Sequence, residues 1–135
     1  MLLRGSVVSG MGNFSYWIEK LQDHYLRKTG MQFYPGTLNV QLDAPFSLPK
    51  RVIRLEASEY GGTVSVNMVP CLIRIHGQVI HGQIEGRQAF LLRTDANEEG
   101  WGHHPKTIVE IATNVRLRDH FGLKDGDAVE IEVEP

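Results

Sequence analysis

Hydrophobic and polar residues alternate along much of this chain, which is the pattern of β-strands that bury one face. The first and last segments alternate clearly, and we predict strands over Leu2–Val8 and Ala128–Val133. Further strands are predicted over residues 37–42, 52–55, 64–69, 71–75, 79–84 and 107–111, with residues 90–92 as one more candidate. The chain is therefore predicted to consist mainly of short strands.

Two segments are predicted to be helical instead. Apolar residues recur every three to four positions and predict one helix over residues 17–29; they are Trp17, Ile18, Leu21 and Tyr25. Gly30 stands where a helix C-cap is expected. A second, short helix is predicted over residues 115–121, with Asn114 as its N-cap and Gly122 at its end.

These elements predict a mainly β protein: a small β-barrel, closed or nearly closed, with two helical connections. The chain has 135 residues, which fits one domain over residues 1–135 with its own core. Residues 94–105 are polar without periodicity and are predicted to form a loop. Regular alternation of strands and helices is absent, which argues against a Rossmann-like sheet.

Composition and charge exclude several classes of function. The net charge of −2 gives no general affinity for nucleic acid or for an anionic membrane. No run approaches the ~20 apolar residues of a membrane span, and the apolar run before Arg4 is too short for a signal peptide. We expect a cytoplasmic protein. Cys71, the single cysteine, lies in a predicted strand and is expected to be a core residue.

A glycine-rich loop, Gly10-Met11-Gly12-Asn13, follows the first strand and leads toward the first helix. Glycines let backbone N–H groups approach a phosphate closely. The loop lacks the Gly-Lys-Ser/Thr ending of a Walker A motif and the spacing of the dinucleotide fingerprint. A plain strand-to-helix turn explains the loop equally well.

Thr37 and Asn39 follow a predicted turn at residues 34–36 and are two positions apart on a strand. Their side chains therefore emerge on the same face. Both carry neutral oxygen ligands, which Mg²⁺ accepts beside phosphate and water. The same two residues are also typical of a turn that is merely capped.

Three other segments carry candidate groups. His103 and His104 are adjacent, but too few further ligands accompany them for zinc. Glu110 alternates with its apolar neighbours, so it faces away from the barrel interior, either as a solvated carboxylate or as a group that acts on a substrate hydroxyl. Arg116 and Arg118 lie at a predicted helix start, where a bound phosphate would offset their unfavourable charge. Surface arginines without a ligand are the alternative.

In their order along the chain, these segments resemble the archaeal CTP-dependent riboflavin kinases. The resemblance covers nearly the whole chain and is most specific at residues 34–39, Tyr-Pro-Gly-Thr-Leu-Asn. It continues through residues 5–12, 103–105 with 109–111, 116–119 and 123–127. It implies a cradle-loop β-barrel that transfers a phosphoryl group from CTP to the 5′-hydroxyl of riboflavin, giving FMN and CDP.

The resemblance also implies roles for particular residues. It assigns Mg²⁺ to Thr37 and Asn39, and it gives flavin contacts to Gly102, His103 and Glu110. It assigns the nucleotide to two stretches, Met11, Gly12, Asn13, Phe14, Ser15 and Tyr16 in one and Val115, Arg116, Leu117 and Arg118 in the other. We hypothesise that Glu110 is catalytic, because it could orient the ribityl hydroxyl or accept its proton.

The sequence departs from the family pattern in three places. Phe14 replaces a second loop glycine, Gly102 replaces a threonine that touches the flavin, and the segment between Ile84 and His103 is predicted to be a longer loop. Trp101 in that segment could stack on a flat ring or anchor the loop. These changes leave open a noncatalytic relative that binds nucleotide or flavin. A DNA-binding barrel is a further alternative, against which stand the negative charge and the lack of a basic arm.

Overall fold

The computed structural model describes residues 1–10, 14–80, 83–102 and 104–133. The strands are β1 Leu2–Val8, β2 Leu38–Leu42, β3 Ile53–Leu55, β4 Val66–Ile80, β5 Gln83–Thr94, β6 Ile108–Ala112 and β7 Ala128–Val133. The helices are α1 Phe14–Lys20, α2 Gln22–Thr29, α3 Asp95–Glu99 and α4 Leu117–Phe121, with a 3₁₀ turn at Ala57–Glu59. The predicted bounds of β1 and β7 are confirmed. No helix among the described residues has the length and apolarity that a membrane crossing needs.

Six strands close into an antiparallel barrel in the order β4-β5-β6-β2-β1-β7, with β7 returning to β4. The long strand β4 closes the ring because it pairs with β5 on one edge and with β7, through Cys71–Ile75, on the other. β3 pairs with the beginning of β4, outside the ring. The predicted mainly β barrel is confirmed.

The barrel has two hydrophobic layers because both faces of several strands are covered. Leu91 belongs to the cluster inside the barrel, and the next residue, Leu92, belongs to a second cluster outside it. Ile18 of α1 and Tyr25 of α2 pack in this second cluster. Side chains that point outward under these helices are therefore buried too. Cys71 is buried in the inner cluster, as predicted.

The predicted helix over residues 17–29 is two helices in the structure. Leu21 separates them, with φ −109° and ψ 26°, and its buried side chain packs in the outer cluster. α1 also begins earlier than predicted, at Phe14. Gly30 ends α2 in the left-handed conformation at φ 75°, as predicted.

The predicted strands at 64–69 and 71–75 are one continuous strand, β4. Pro70 lies between Met68, which pairs with β3, and Cys71, which pairs with β7. This gap in the ladder accommodates a residue without an N–H. The single strand predicted over residues 79–84 is wrong as well, because β4 ends at Ile80 and β5 begins at Gln83, and residues 81–82 lie outside the described residues.

The prediction of a loop over residues 94–105 is wrong for residues 94–99, and most of the segment between Ile84 and His103 is strand and helix rather than loop. β5 runs to Thr94, and α3 follows it, so the barrel has three helical connections rather than two. The Thr94 hydroxyl caps α3 by accepting from the Asn97 N–H at 3.1 Å, and Gly100 ends the helix at φ 90°. Sequence periodicity cannot reveal a helix of five residues.

The last helix, α4, begins two residues later than predicted. Arg116, not Asn114, is its N-cap residue, and it makes no side-chain capping bond. The Asn114 side chain instead accepts a hydrogen bond from the Arg87 guanidinium. Gly122 ends the helix at φ 63°, as predicted.

Candidate active site

A cavity of about 230 Å³ opens where the end of β1 meets the turn before β2 and the segments that lead into α1 and α4. The turn at residues 34–37 forms one wall, and residues 115–118 form another. Thr37, Asn39 and Glu110 line it together. The cavity therefore combines several segments that the sequence singled out separately.

Register brings the central side chains together. β2 and β6 pair so that Asn39 lies directly opposite Glu110. Neighbours of both residues fill the barrel interior, so strand alternation sends Asn39 and Glu110 to the outer, helix-covered face. Thr37, just before β2, donates its hydroxyl hydrogen to Glu110 Oε1 at 2.8 Å.

Glu110 is a buried acid, with 5% of its surface exposed. Burial raises the pKa of its carboxyl to about 7, and the hydrogen bond from Thr37 acts in the opposite direction. The reading of Glu110 as a solvated carboxylate is therefore wrong. A carboxyl with such a pKa can hold or release a proton near neutral pH.

Asn39 presents an acceptor that lacks a partner. Its Oδ1 is buried and makes no hydrogen bond within the described part of the chain. Leaving such an atom unpaired costs roughly 1–3 kcal/mol, so it calls for an explanation. Asn39 Oδ1, Thr37 Oγ1 and the Glu110 carboxyl are hard oxygen donors that could hold a divalent cation.

Gly10 lies against the Asn39 amide. A Cβ built on Gly10 would come within 2.0 Å of Asn39 Nδ2, so only glycine leaves room for this side chain. The loop glycine therefore has a steric role beside the site, which the sequence analysis missed. The Gly-x-Gly motif marked Gly10 as unusual, but nothing in the local sequence indicated that Gly10 packs against Asn39.

The two predicted phosphate-binding arginines both line the cavity and both have acidic partners. Arg118 donates to Asp125 and, at 3.2 Å, to the Val8 carbonyl, while Arg116 donates to Asp119 at 2.8 Å. Ser9 also donates to Asp125, at 2.6 Å, and the bonds from Ser9 and Arg118 lower the pKa of the Asp125 carboxyl. Arg118 thus ties the end of β1 to the turn before β7.

The other predicted contacts divide into three groups. Phe14, Ser15, Val115 and Leu117 line the cavity. Tyr16 is 58% exposed and does not line it. Met11, Gly12, Asn13 and His103 lie outside the described residues. The assignment of these residues to nucleotide or flavin stays a prediction.

The structure gives a steric reason for Gly102 and locates Phe14, two of the departures from the family pattern. A Cβ on residue 102 would meet Asn97 Oδ1 of α3 at 1.9 Å, so the close approach of that amide requires Gly102. Phe14 is buried in the outer cluster, where it also forms part of the cavity wall.

The structure also bears on Trp101 and on a metal site near the two histidines. Trp101 is 68% exposed, so it is not a buried anchor, and its indole donates to Glu99 at 2.7 Å. No group of three or more His, Cys, Asp or Glu side chains suited to a metal occurs in the part that the structure describes.

Comparison with known proteins gives a consistent result. The family model labelled CTP-dep_RFKase, described as "Domain of unknown function DUF120", matches residues 7–133. Among curated proteins, riboflavin kinases from Methanocella arvoryzae, Pyrobaculum islandicum and Archaeoglobus fulgidus are 30%, 33% and 34% identical over 98%, 97% and 97% of this chain. The chain spans 57%, 59% and 54% of the length of these three relatives.

Proposed function

The chain belongs to the CTP-dependent riboflavin kinase family, and from this premise we propose that it phosphorylates riboflavin with CTP and Mg²⁺, giving FMN and CDP. The observation that carries the proposal is the cluster of oxygen groups on half-buried Thr37 and on buried Asn39 and Glu110 in the cavity wall. Relatives that match over nearly all of the chain are named riboflavin kinases, which supports riboflavin as the acceptor. The name of the matching family supports CTP as the donor.

The residues fit a magnesium site by their chemistry. Asn39 Oδ1 is a buried acceptor with no partner in the described chain, and Thr37 Oγ1 keeps a lone pair while its hydrogen goes to Glu110. Mg²⁺ is held in such sites by few protein oxygens together with phosphates and water. When bound, it would supply charge neutralisation to the phosphates.

Phosphoryl transfer needs positioning and charge stabilisation more than covalent chemistry. In the proposed reaction, the riboflavin 5′-oxygen forms a bond to the γ-phosphorus of CTP. The bond from that phosphorus to the β,γ-bridging oxygen breaks, and CDP leaves with the electron pair. The hydroxyl proton passes to the Glu110 carboxylate, whose position is fixed by the hydrogen bond from Thr37.

A noncatalytic flavin- or nucleotide-binding relative is the second candidate. Gly102 carries no side chain toward a ligand, and the Asn97 amide of α3 fills the space that a Cβ would need. This loss of a side chain at a position assigned to the flavin is the observation that favours a noncatalytic relative.

The proposal is tested by incubating the purified protein with riboflavin, Mg²⁺ and either CTP or ATP, with FMN measured by chromatography. We expect FMN with CTP. Asn39→Ala is expected to abolish turnover or weaken its Mg²⁺ dependence, whereas the control Gln88→Ala, at an exposed amide outside the cavity, is expected to behave as the parent. No FMN with either donor, but retained binding of CDP or riboflavin, would support the second candidate.

Glu110→Gln tests the proton acceptor. The amide keeps the shape of the side chain and cannot take up the hydroxyl proton, so we expect a fall in the rate of FMN formation of about 100-fold, the lower end of general-base effects. Unchanged turnover would contradict the assigned role.

A further inference from the structure

A second recess adjoins the cavity and has no part in the reaction proposed above. It has a volume of about 450 Å³ and is lined by residues 32–35 together with Gln22 and Asn114. Tyr34 and Pro35 line both spaces, so the recess and the cavity are neighbours. Three of its six lining residues are side-chain amides, namely Gln22, Gln32 and Asn114.

Gln22 offers a fixed acceptor. Its Nε2 donates to the Phe33 carbonyl at 3.0 Å, which determines the orientation of the amide. The opposite atom, Oε1, is buried and has no hydrogen-bond partner among the residues described. A ligand N–H would satisfy this oxygen.

Asn114 offers a fixed donor. The Arg87 guanidinium donates to Asn114 Oδ1, so the amide nitrogen is the end of the side chain that remains to face a ligand. The recess therefore presents an acceptor from Gln22 and a donor from Asn114. This pair is complementary to a flat heterocycle whose edge carries an N–H beside a carbonyl or a ring nitrogen.

Tyr34 supplies an aromatic surface between the two spaces. Its ring lies against Gly36, where a Cβ would come within 3.3 Å of Tyr34 Cε1, and its backbone N–H donates to the Thr113 carbonyl at 2.8 Å. The residue is 38% exposed. A held and partly exposed aromatic ring of this kind suits contact with a planar ligand.

We propose that this recess recognises a pyrimidine ring by an edge that carries an N–H beside an acceptor, with Gln22 Oε1 accepting from the ring or exocyclic N–H and Asn114 Nδ2 donating to the adjacent acceptor. The inference rests on the proposed function, which supplies the two candidate ligands that contain such a ring. Both the cytosine of a cytidine nucleotide and the pyrimidinedione ring of a flavin carry such an edge.

Binding measurements separate these sources without turnover. Calorimetry gives the affinity for CDP, and fluorescence gives the affinity for riboflavin and for lumichrome, which keeps the flavin ring but lacks the ribityl chain. We would compare the parent with Gln22→Leu and Asn114→Ala. Gln88→Leu, at an exposed amide outside both spaces, is the matched control.

Each recess variant is expected to weaken one ligand about 10-fold, equivalent to about 1.4 kcal/mol. Weaker CDP binding with unchanged riboflavin binding identifies the nucleobase as the occupant. The reverse pattern, together with weaker lumichrome binding, identifies the flavin ring.

Unchanged binding of both ligands in folded Gln22→Leu and Asn114→Ala would overturn the inference. So would a parent protein that binds neither ligand. FMN formation by the parent distinguishes this failure from that of the proposed function. If the parent forms FMN and neither substitution changes its affinities, only the inference about the recess is wrong. Conversely, if the parent forms no FMN but binds one ligand through Gln22 and Asn114, the proposed function is wrong and the inference about the recess stands.

Discussion

Arg93 and Glu110 lie on the neighbouring strands β5 and β6, and both are buried, with exposures of 2% and 5%. Arg93 is surrounded by acceptors. Its guanidinium donates to Glu98 at 2.8 Å, to the Lys106 carbonyl at 3.0 Å and to the Phe46 carbonyl, and it lies 5.4 Å from the Phe46 ring. Glu98 in turn accepts from the Leu48 N–H at 3.2 Å.

The Glu110 cluster is less complete. Glu110 accepts one hydrogen bond from Thr37, burial raises the pKa of its carboxyl, and Asn39 Oδ1 opposite it lacks a partner in the described chain. A satisfied buried network stabilises a fold, whereas unsatisfied buried groups cost stability and are retained where a ligand completes them. The contrast indicates that Arg93 holds the barrel end together and that Glu110 belongs to a binding site.

The largest expected effect is on the Arg93 cluster. Arg93→Met removes the donor from two carbonyls and from Glu98, so we expect the free energy of unfolding to fall by about 4 kcal/mol, as for a broken buried pair. Urea denaturation measures this loss. FMN formation per folded molecule is expected to be retained, because Arg93 does not line the cavity.

Arg4→Met is the control for that substitution. Arg4 pairs with Glu130 at 3.0 Å, but its side chain is 66% exposed, and an exposed pair contributes about 0.5 kcal/mol. If the two methionine variants lost similar stability, the Arg93 cluster would not be the structural clamp inferred above.

The next effect is the pH dependence of stability that Glu110 imposes. Its ordinary pKa is 4.5 and its pKa in the fold is about 7, so between these values the native state binds more protons than the unfolded chain. The contribution of Glu110 to stability is therefore fully present below pH 4.5 and is lost as the pH rises to 7, by roughly 3 kcal/mol.

Subtracting the curve of Glu110→Gln from that of the parent, in metal-free buffer, isolates this contribution. The carboxyls of Glu56, Glu59, Asp95 and Asp125 have lowered pKa values, so they lose their stabilising effect only at more acidic pH. A difference curve that is flat from pH 4.5 to 7 would show that Glu110 does not hold its proton in the fold.

Local sequence patterns predicted the elements that depend on local order. Alternation is enough to locate β1 and β7, and Gly30 and Gly122 marked helix ends because a left-handed residue is required there. The split at Leu21 and the helix α3 were missed because packing and capping fix them. The side chain of Asn67, for example, donates to Asp95 at 2.8 Å at the start of α3.

In the candidate site, too, some features follow from local sequence and others depend on contacts between distant residues. Spacing places Thr37 and Asn39 on one face, alternation marks Glu110 as a candidate, and the resemblance gives it a flavin contact. The pairing of Asn39 with Glu110 depends on the β2–β6 register, between residues far apart in sequence, and no local pattern encodes it. The same holds for the contact between Gly10 and Asn39.

The smallest expected effect on stability tests that contact. Gly10→Ala would force its Cβ, 2.0 Å from Asn39 Nδ2, to displace the amide, so we expect a loss of about 1–2 kcal/mol, typical of overpacking, and a marked fall in FMN formation. In Gly86→Ala the new Cβ meets nothing closer than 3.6 Å, so this strand glycine is the matched control and is expected to be neutral or slightly stabilising.

A double-mutant cycle assigns the loss to the Asn39 side chain. With Asn39→Ala already present, the amide that collides with residue 10 is gone, so adding Gly10→Ala is expected to cost little further stability. The coupling energy should then approach the full cost of the single Gly10→Ala variant, about 1–2 kcal/mol. Additive losses in urea denaturation would mean that Gly10 is required by its own backbone, and the view that this glycine makes room for the site would be wrong.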